Sequence, residues 1–395
     1  MRNPAATVAP LPTSGAAERV GSSAIRDLLH LTERADVLSL AGGLPSAEAF
    51  PVVEVAEATA AILGRSPGGA LQYSTTEGLP ALRRWVAAQA PVPTAPDQVL
   101  VTHGSQQALD LLARATLAPG ATVALADPGY VGALQAFRLA EAHLVGIPVD
   151  DDGMRVDVLA DRCSAGLRPA LVYVVAEFDN PSGVTLGAER RGALADLAER
   201  YGFLVVEDDP YGTLRWSGAR PPALRTLTDR VVALGTTSKV LTPGLRVGWA
   251  VGPTPLMRRL VTVKQAADLH TNGLGQHVAA ELLGRPGFLD RHGAGLRDRY
   301  QRQADALVEA LAAEVGDRLH VSTPQGGMFC WATFLDGTDT TALLPRAVDA
   351  GVAFVPGRAF AVDDPHRHGL RLSFATEGPD ALREAVRRLA LALTA

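Results

Sequence analysis

Between about residues 98 and 252 the chain repeats one pattern. Short apolar runs of strand type fall at 99–102, 122–125, 143–148, 170–175, 203–206, 231–234 and 248–251, with helical stretches between most of them. Strand, helix, strand in succession builds a mostly parallel sheet, because a helical crossover is what returns the chain to run in the same direction. In such open α/β sheets, ligands bind beyond the carboxyl ends of the strands. The polar motifs of this chain stand there. His103-Gly104-Ser105-Gln106-Gln107 follows the first run and Asp127-Pro128-Gly129-Tyr130 the second. Glu177-Phe178-Asp179-Asn180-Pro181-Ser182-Gly183 follows 170–175, and Glu207-Asp208-Asp209-Pro210-Tyr211 follows 203–206.

The most chemically specific motif follows 231–234. It reads Thr236-Thr237-Ser238-Lys239, then Pro243-Gly244 and Arg246. Pro and Gly between the two charges break any helix, so the backbone can fold both side chains towards one ligand. A desolvated lysine loses its proton readily and forms Schiff bases. Arginine presents a rigid fork to a phosphate, and the hydroxyls add short donors. The turn at Gly104-Ser105, leading into a helix from about 108 to 117, offers free amides and a helix dipole to the same kind of anion. An aldehyde cofactor bearing a phosphate uses both features, and pyridoxal phosphate is such a cofactor. A surface lysine on a loop has the same signature in isolation.

The remaining sequence frames this core. The chain has 395 residues, 47% hydrophobic and 20% charged, enough for two to three domains. Its net charge of −5 argues against nucleic acid as a partner. Cys163 and Cys330 have no redox or metal-type neighbours and read as buried thiols in a reducing, cytoplasmic compartment. No apolar run reaches the roughly 18 residues of a membrane span. Residues 1–21 read as an N-terminal arm and 22–31 as a short helix carrying Ser23 and Arg26. Helices are expected at 52–63, 79–90, 255–283 and 288–315. Strand-like pieces at 319–321, 327–332, 353–355 and 370–374 suggest a second, smaller α+β domain. The expected division is 22–55 as the N-terminal part of the small domain, 56–285 as the large domain and 286–395 as the C-terminal small domain. Asp150-Asp151-Asp152 reads as an exposed turn, since its acids are consecutive rather than alternate. His103, His270 and His277 form no metal pattern, and no metal is expected.

Taken together, the motifs resemble the fold-type I, class I/II aminotransferases that use pyridoxal phosphate, most closely the 2-aminoadipate and kynurenine aminotransferase branch. The resemblance runs from Ser22 onward. Its markers are Leu40-Ala41-Gly42-Gly43-Leu44-Pro45, Tyr73 with Gly78, Gly104-Ser105-Gln106-Gln107, Asn180-Pro181-Ser182-Gly183, Asp208-Asp209-Pro210-Tyr211, Ser238-Lys239 to Arg246, Gly326-Gly327-Met328-Phe329 and Arg371-Leu372-Ser373-Phe374. It implies that Lys239 holds the cofactor covalently and then carries the substrate's proton. Asp208 pairs with the pyridine nitrogen, while Tyr211 and Asn180 bond the ring oxygen. Tyr130 stacks on the ring, and Ser105, Gln106, Thr236, Ser238 and Arg246 hold the phosphate. Tyr73 matches a tyrosine that reaches the neighbouring subunit's phosphate, which implies a homodimer with shared active sites. Arg371 binds the substrate α-carboxylate beside Gly43, and Arg26 with Ser23 matches a helix that sorts side chains. Asp179 stands where the family has glutamine; it would steer a cationic substrate or make a hydrogen bond behind the site. Without the resemblance, Asp208 fits a solvated turn, Tyr130 a core position, Arg371 a strand-edge charge and Arg26 a surface charge.

The activity expected is ping-pong transfer of an amino group between an L-amino acid, with glutamate as donor, and a 2-oxo acid. Another reaction on the same cofactor (decarboxylase, lyase or oxidase) and a regulator's effector domain are the alternatives. The regulator reading fits poorly with the roughly twenty residues before the first matched helix and with the negative charge.

Overall fold

The structure is a computed structural model and describes residues 13–19, 34 and 36–394. After a two-residue strand, Leu38–Ser39 (β1), helices Val52–Arg65, Pro67–Leu71 and Pro80–Gln89 lead into the main sheet. Its strands are Val99–Thr102 (β2), Thr122–Asp127 (β3), His143–Asp150 (β4), Gly153–Met154 (β5), Leu171–Val175 (β6), Leu204–Asp208 (β7), Val231–Thr236 (β8) and Gly248–Val251 (β9). They lie in the order β2-β9-β8-β7-β6-β3-β4-β5. β4, β3, β6, β7 and β8 are parallel, while β9 runs antiparallel between β8 and β2. Every residue of β6, Leu-Val-Tyr-Val-Val, is buried, as a strand covered on both faces by helices requires. Strand order reverses between β3 and β6, and this is where an open sheet of this kind forms its crevice.

The sequence pattern reads 255–283 as one helical stretch. The structure instead has two helices, Thr254–Ala267 and Gly273–Leu283. Leu269 takes the left-handed conformation (φ +67°), and Asn272 caps the second helix by accepting from the Gly275 amide at 3.2 Å. The helix Phe288–Glu314 is 27 residues long, as expected from its period. It leads to Leu319–Val321 (β10), Phe329–Phe334 (β11), Val352–Ala353 (β12), Val355–Pro356 (β13) and Gly369–Ser373 (β14). β10, β11, β14 and β13 form an antiparallel sheet in that order, and β12 pairs with β1. Strand β11 begins two residues later than the sequence suggests, because Gly327 is left-handed (φ +75°) and turns the chain first. One buried cluster, including Leu100, Leu234, Leu307, Phe374 and Leu389, runs from the large sheet to the small one. No described helix is long and apolar enough to cross a membrane.

Candidate active site

A cleft of about 570 Å³ opens above the carboxyl ends of the parallel strands, and Arg371 of β14 and Gly43 line it as well. At one end the helix Gly104–Thr116 begins four residues earlier than its apolar pattern suggests. Ser105 and Gln106 therefore lie in its first turn, where backbone amides lack partners within the helix. Gly104 is left-handed (φ +71°), and a Cβ there would stand 3.0 Å from Arg246 Nη2. Arg246 is itself left-handed (φ +54°), following the turn Pro243–Leu245, and donates from Nη2 to the His103 carbonyl at 3.1 Å. Thr236 and Ser238 join their hydroxyls at 2.9 Å beside it. Amides, hydroxyls and one guanidinium make this end of the cleft a site for a phosphate.

Lys239 stands at the centre. Its Nζ donates to the Gly43 carbonyl at 3.2 Å. Burial, and then the positive charges of Arg371 and Arg246, push its amine down to about 8. Asp208, the last residue of β7, is buried. Its Oδ2 accepts from the Tyr173 hydroxyl at 2.9 Å, while its Oδ1 has no partner among the described residues. Burial pushes this carboxyl up to about 7; the Tyr173 bond opposes the rise, and the charges of Asp209 and Asp179 add to it. A buried carboxylate oxygen without a donor is costly, so the geometry is that of an acid awaiting a cationic N–H. Tyr130 and Tyr211 line the cleft, their phenols pushed up by burial, that of Tyr130 to about 12.

Arg371 lies at the other end, 1% exposed. Nη1 donates to Asn180 Oδ1 at 2.9 Å and Nη2 to the Ala41 carbonyl at 2.7 Å, and both acceptors are neutral. Nε has no partner among the described residues. The guanidinium lies over the rings of Phe329 at 4.4 Å and Phe360 at 5.1 Å. Burial pulls it down to about 10. A charge desolvated this far and met, among the described residues, by neutral acceptors favours a carboxylate strongly. The loop carrying Asn180 is held from behind by the buried pair of Glu177 and Arg191, at 2.9 Å.

Of the residues singled out from sequence, Gly43, Ser105, Gln106, Tyr130, Asn180, Tyr211, Thr236, Ser238, Lys239, Arg246 and Arg371 line this cleft, with Asp208 just behind it. Tyr73 is not among them. It is 78% exposed on the loop after Pro67–Leu71, edge-on to His270 at 5.7 Å. Ser23 and Arg26 lie outside the described residues. Asp179 turns into its own loop, where Oδ2 accepts from the Ser182 hydroxyl at 2.7 Å. Sequence reasoning missed Tyr173, whose signal was a polar tip in an otherwise apolar buried strand. It also missed Phe360, for which no local signal exists.

Residues 35–389 match the family described as aminotransferase class I and II. Aromatic-amino-acid aminotransferase 1 of Thermococcus litoralis is 40% identical over 379 residues, covering 93% of this chain and 91% of that protein. The 2-aminoadipate transaminase of Thermus thermophilus is 42% identical over 382 residues, 95% of each. The crystal structure of an alpha-aminoadipate aminotransferase from Thermus thermophilus, complexed with N-(5'-phosphopyridoxyl)-L-leucine, matches with a TM-score of 0.90 at 40% identity, covering 97% of each chain. The chain belongs to the class I and II aminotransferases.

Proposed function

We propose that this aminotransferase binds pyridoxal phosphate in the cleft and moves an amino group from glutamate to a 2-oxo acid, with Lys239 as the covalent anchor and proton carrier. One observation carries the reading. A lysine with a lowered pKa, an acid with a buried oxygen that no described residue meets, and a buried arginine whose described acceptors are neutral surround one space. The cofactor supplies an electron sink and a carbon that stores the amino group between half-reactions.

The chain's own groups do the rest. Ser105, Gln106, Thr236, Ser238 and Arg246 hold the phosphate. Asp208 Oδ1 would accept a hydrogen bond from the ring nitrogen's N–H and so favour its protonated form. Asn180 spends its Oδ1 on Arg371, which leaves its Nδ2 to donate to the ring oxygen beside the Tyr211 hydroxyl. Tyr130 covers the ring face. Arg371 grips the α-carboxylate and so fixes the substrate Cα near Lys239. Burial, with Arg371 and Arg246 beside it, favours the neutral form of the Lys239 amine, which suits its Nζ to take the Cα proton and deliver it again. Burial of these groups keeps water from competing.

The reading extends to a homodimer with shared sites, in which Tyr73 contacts the other subunit's cofactor phosphate. Leu44, Val52, Val53, Leu71 and Tyr73 are all more than half exposed within residues 44–73, an apolar stretch suited to cover by a second copy. The reading also divides the chain into a large unit (56–285) and a small one (22–55 with 286–395); the eight-stranded sheet within 99–251 and the four-stranded sheet within 319–373 support it. The free, buried Cys163 and Cys330 suit a cytoplasmic setting. Arg26 is the proposed side-chain selector.

A screen of 2-oxo acids against glutamate tests the reading. Release of 2-oxoglutarate matched mole for mole by a new amino acid supports it. Release of carbon dioxide or ammonia without a new amino acid would contradict it.

A further inference from the structure

Asp127 ends β3, three residues before Tyr130, and takes no part in the chemistry described above. Its carboxylate is buried, and its hydrogen bonds to described residues come from one distant segment. Oδ1 accepts from the Val362 amide at 3.0 Å and from His366 Nε2 at 2.6 Å. Oδ2 accepts from the amides of Asp363 and Asp364, each at 2.9 Å. The Gly129 amide adds a bond to the Phe360 carbonyl at 2.8 Å. Burial alone would raise the Asp127 carboxyl, yet His366 and the three amides hold it below its usual value. It is therefore an anion, and His366 Nε2 is the donor.

The same segment carries Phe360, fully buried, whose ring lies under the Arg371 guanidinium at 5.1 Å. Trp331 braces both ends, edge-on to Phe360 at 5.9 Å and to His366 at 6.0 Å. Three residues after His366 the chain enters β14, which carries Arg371. The path from Asp127 to Arg371 is thus short and packed. On the near side it begins at the strand end that presents Tyr130 to the cleft. On the far side it ends at the ring on which the guanidinium rests.

We propose that Asp127 is a positioning residue: by clamping 360–366 to the end of β3, it fixes Arg371 at the distance from the cofactor end that a substrate α-carboxylate needs. This rests on the reading of Arg371 as the α-carboxylate site. The α-carboxylate is common to all the substrates, so loosening the clamp weakens every substrate alike, whatever its side chain. Cofactor binding changes little, because the phosphate cradle and Lys239 lie on other elements and β3, which leads to Tyr130, stays paired with β4 and β6. An asparagine at 127 keeps one acceptor oxygen but turns an NH₂ to the donors that met the other, which loosens the clamp with almost no change in volume.

The test uses Asp127→Asn, His366→Ala and, as a reference, Arg371→Lys, all as holoenzymes. Four quantities are read: KM and kcat for two amino donors of different side chain, the dissociation constant of a 2-methyl amino acid that binds but has no Cα proton to lose, the affinity of the cofactor-free protein for pyridoxal phosphate, and amide exchange of the 360–366 segment. For Asp127→Asn we expect KM and the inert ligand's dissociation constant to rise together by about tenfold for both side chains. We expect kcat and cofactor affinity to change by less than about threefold, as for sites that do not share contacts, and the segment's amides to exchange faster. His366→Ala should do the same to a smaller degree, and it decides the matter if Asp127→Asn does not fold. Unchanged ligand constants with a lowered melting temperature would make Asp127 merely structural and overturn the proposal. So would a parallel loss of cofactor affinity. If Arg371→Lys itself leaves the ligand constants unchanged, the reading of the carboxylate site falls. If only the Asp127 and His366 variants leave them unchanged, the clamp alone falls.

Discussion

Lys239 and Lys264 are the only lysines of the chain, and each stands in a region that also holds a buried or half-buried aspartate. Around Lys264, on helix Thr254–Ala267, the charges are matched. Its Nζ, fully buried, donates to Gln107 Oε1 at 2.9 Å and to both oxygens of Asp268 at 2.8 Å. Asp268 also takes the ring nitrogen of His103 at 2.8 Å and Gln107 Nε2 at 2.7 Å. Burial works against that carboxylate, but these partners hold it below its usual value. Around Lys239 the opposite holds. Among the described residues the amine has one neutral acceptor and two positive neighbours, and Asp208 keeps one oxygen with no donor. The difference teaches that burial alone does not mark a reactive lysine. What marks it is burial without a counter-charge, beside an acid that is equally unanswered.

The largest effect should come from Lys239. Lys239→Ala is expected to lower turnover by at least about a thousandfold, since it removes both the proposed anchor and the proposed proton carrier. Stability should stay level or rise, because an amine with two like-charged neighbours is gone. Steady-state kinetics and urea unfolding on one preparation check both parts, and near-normal turnover would end the comparison.

Asp208 gives the next effect, in the cofactor-free protein. With its carboxyl raised to about 7, the folded chain binds more protons there than the unfolded chain does between about pH 4 and pH 7. Its contribution to stability is therefore full at the acid end of that window and is lost as pH rises through about 7. The loss is a few kcal/mol, at about 1.4 kcal/mol for each pH unit by which the carboxyl is raised. Asp179, raised to about 6, adds a slope of the same sign. Unfolding curves for the parent and Asp208→Asn across this range should diverge, the variant being the flatter. Identical slopes would mean that Asp208 is not the unanswered acid.

Lys264→Met should cost about 2–3 kcal/mol of stability, somewhat under the usual loss for a broken buried pair because Asp268 keeps some contact with water. Turnover should stay within about tenfold of the parent, since the damage lies behind the phosphate cradle. The smallest effect belongs to Tyr173→Phe. It deletes one hydrogen bond to Asp208 and should weaken pyridoxal phosphate binding by about 1 kcal/mol, measurable by titration of the cofactor-free protein.

Much of the end of the cleft proposed for the cofactor was legible in the sequence because its groups are near neighbours in the chain. Thr236, Ser238, Lys239 and Arg246 sit around one turn, and Ser105 with Gln106 begins one helix. The parallel sheet was legible for the same reason, as each strand and crossover repeats a local period. The carboxylate end was not. Arg371 touches Ala41, Asn180, Phe329 and Phe360, which are far apart in the chain and are brought together only by tertiary packing. The break at 268–272 was hidden for a different reason. Lys264 and Asp268 have the i,i+4 spacing of a helical ion pair, yet Asp268 is where the helix stops, its carboxylate drawn towards His103 and Gln107. Family resemblance supplied the roles proposed for Asp208 and Arg371, which spacing could not.

The most direct test sets the two lysines against each other. Protein loaded with pyridoxal phosphate is reduced with borohydride, digested, and the phosphopyridoxyl-bearing peptide is identified by mass. The expected result is one group per chain, on Lys239, with Lys264 unmodified although it too is buried. A group on Lys264 or on the amino terminus, with Lys239 unmodified, would contradict the assignment of Lys239 as the anchor.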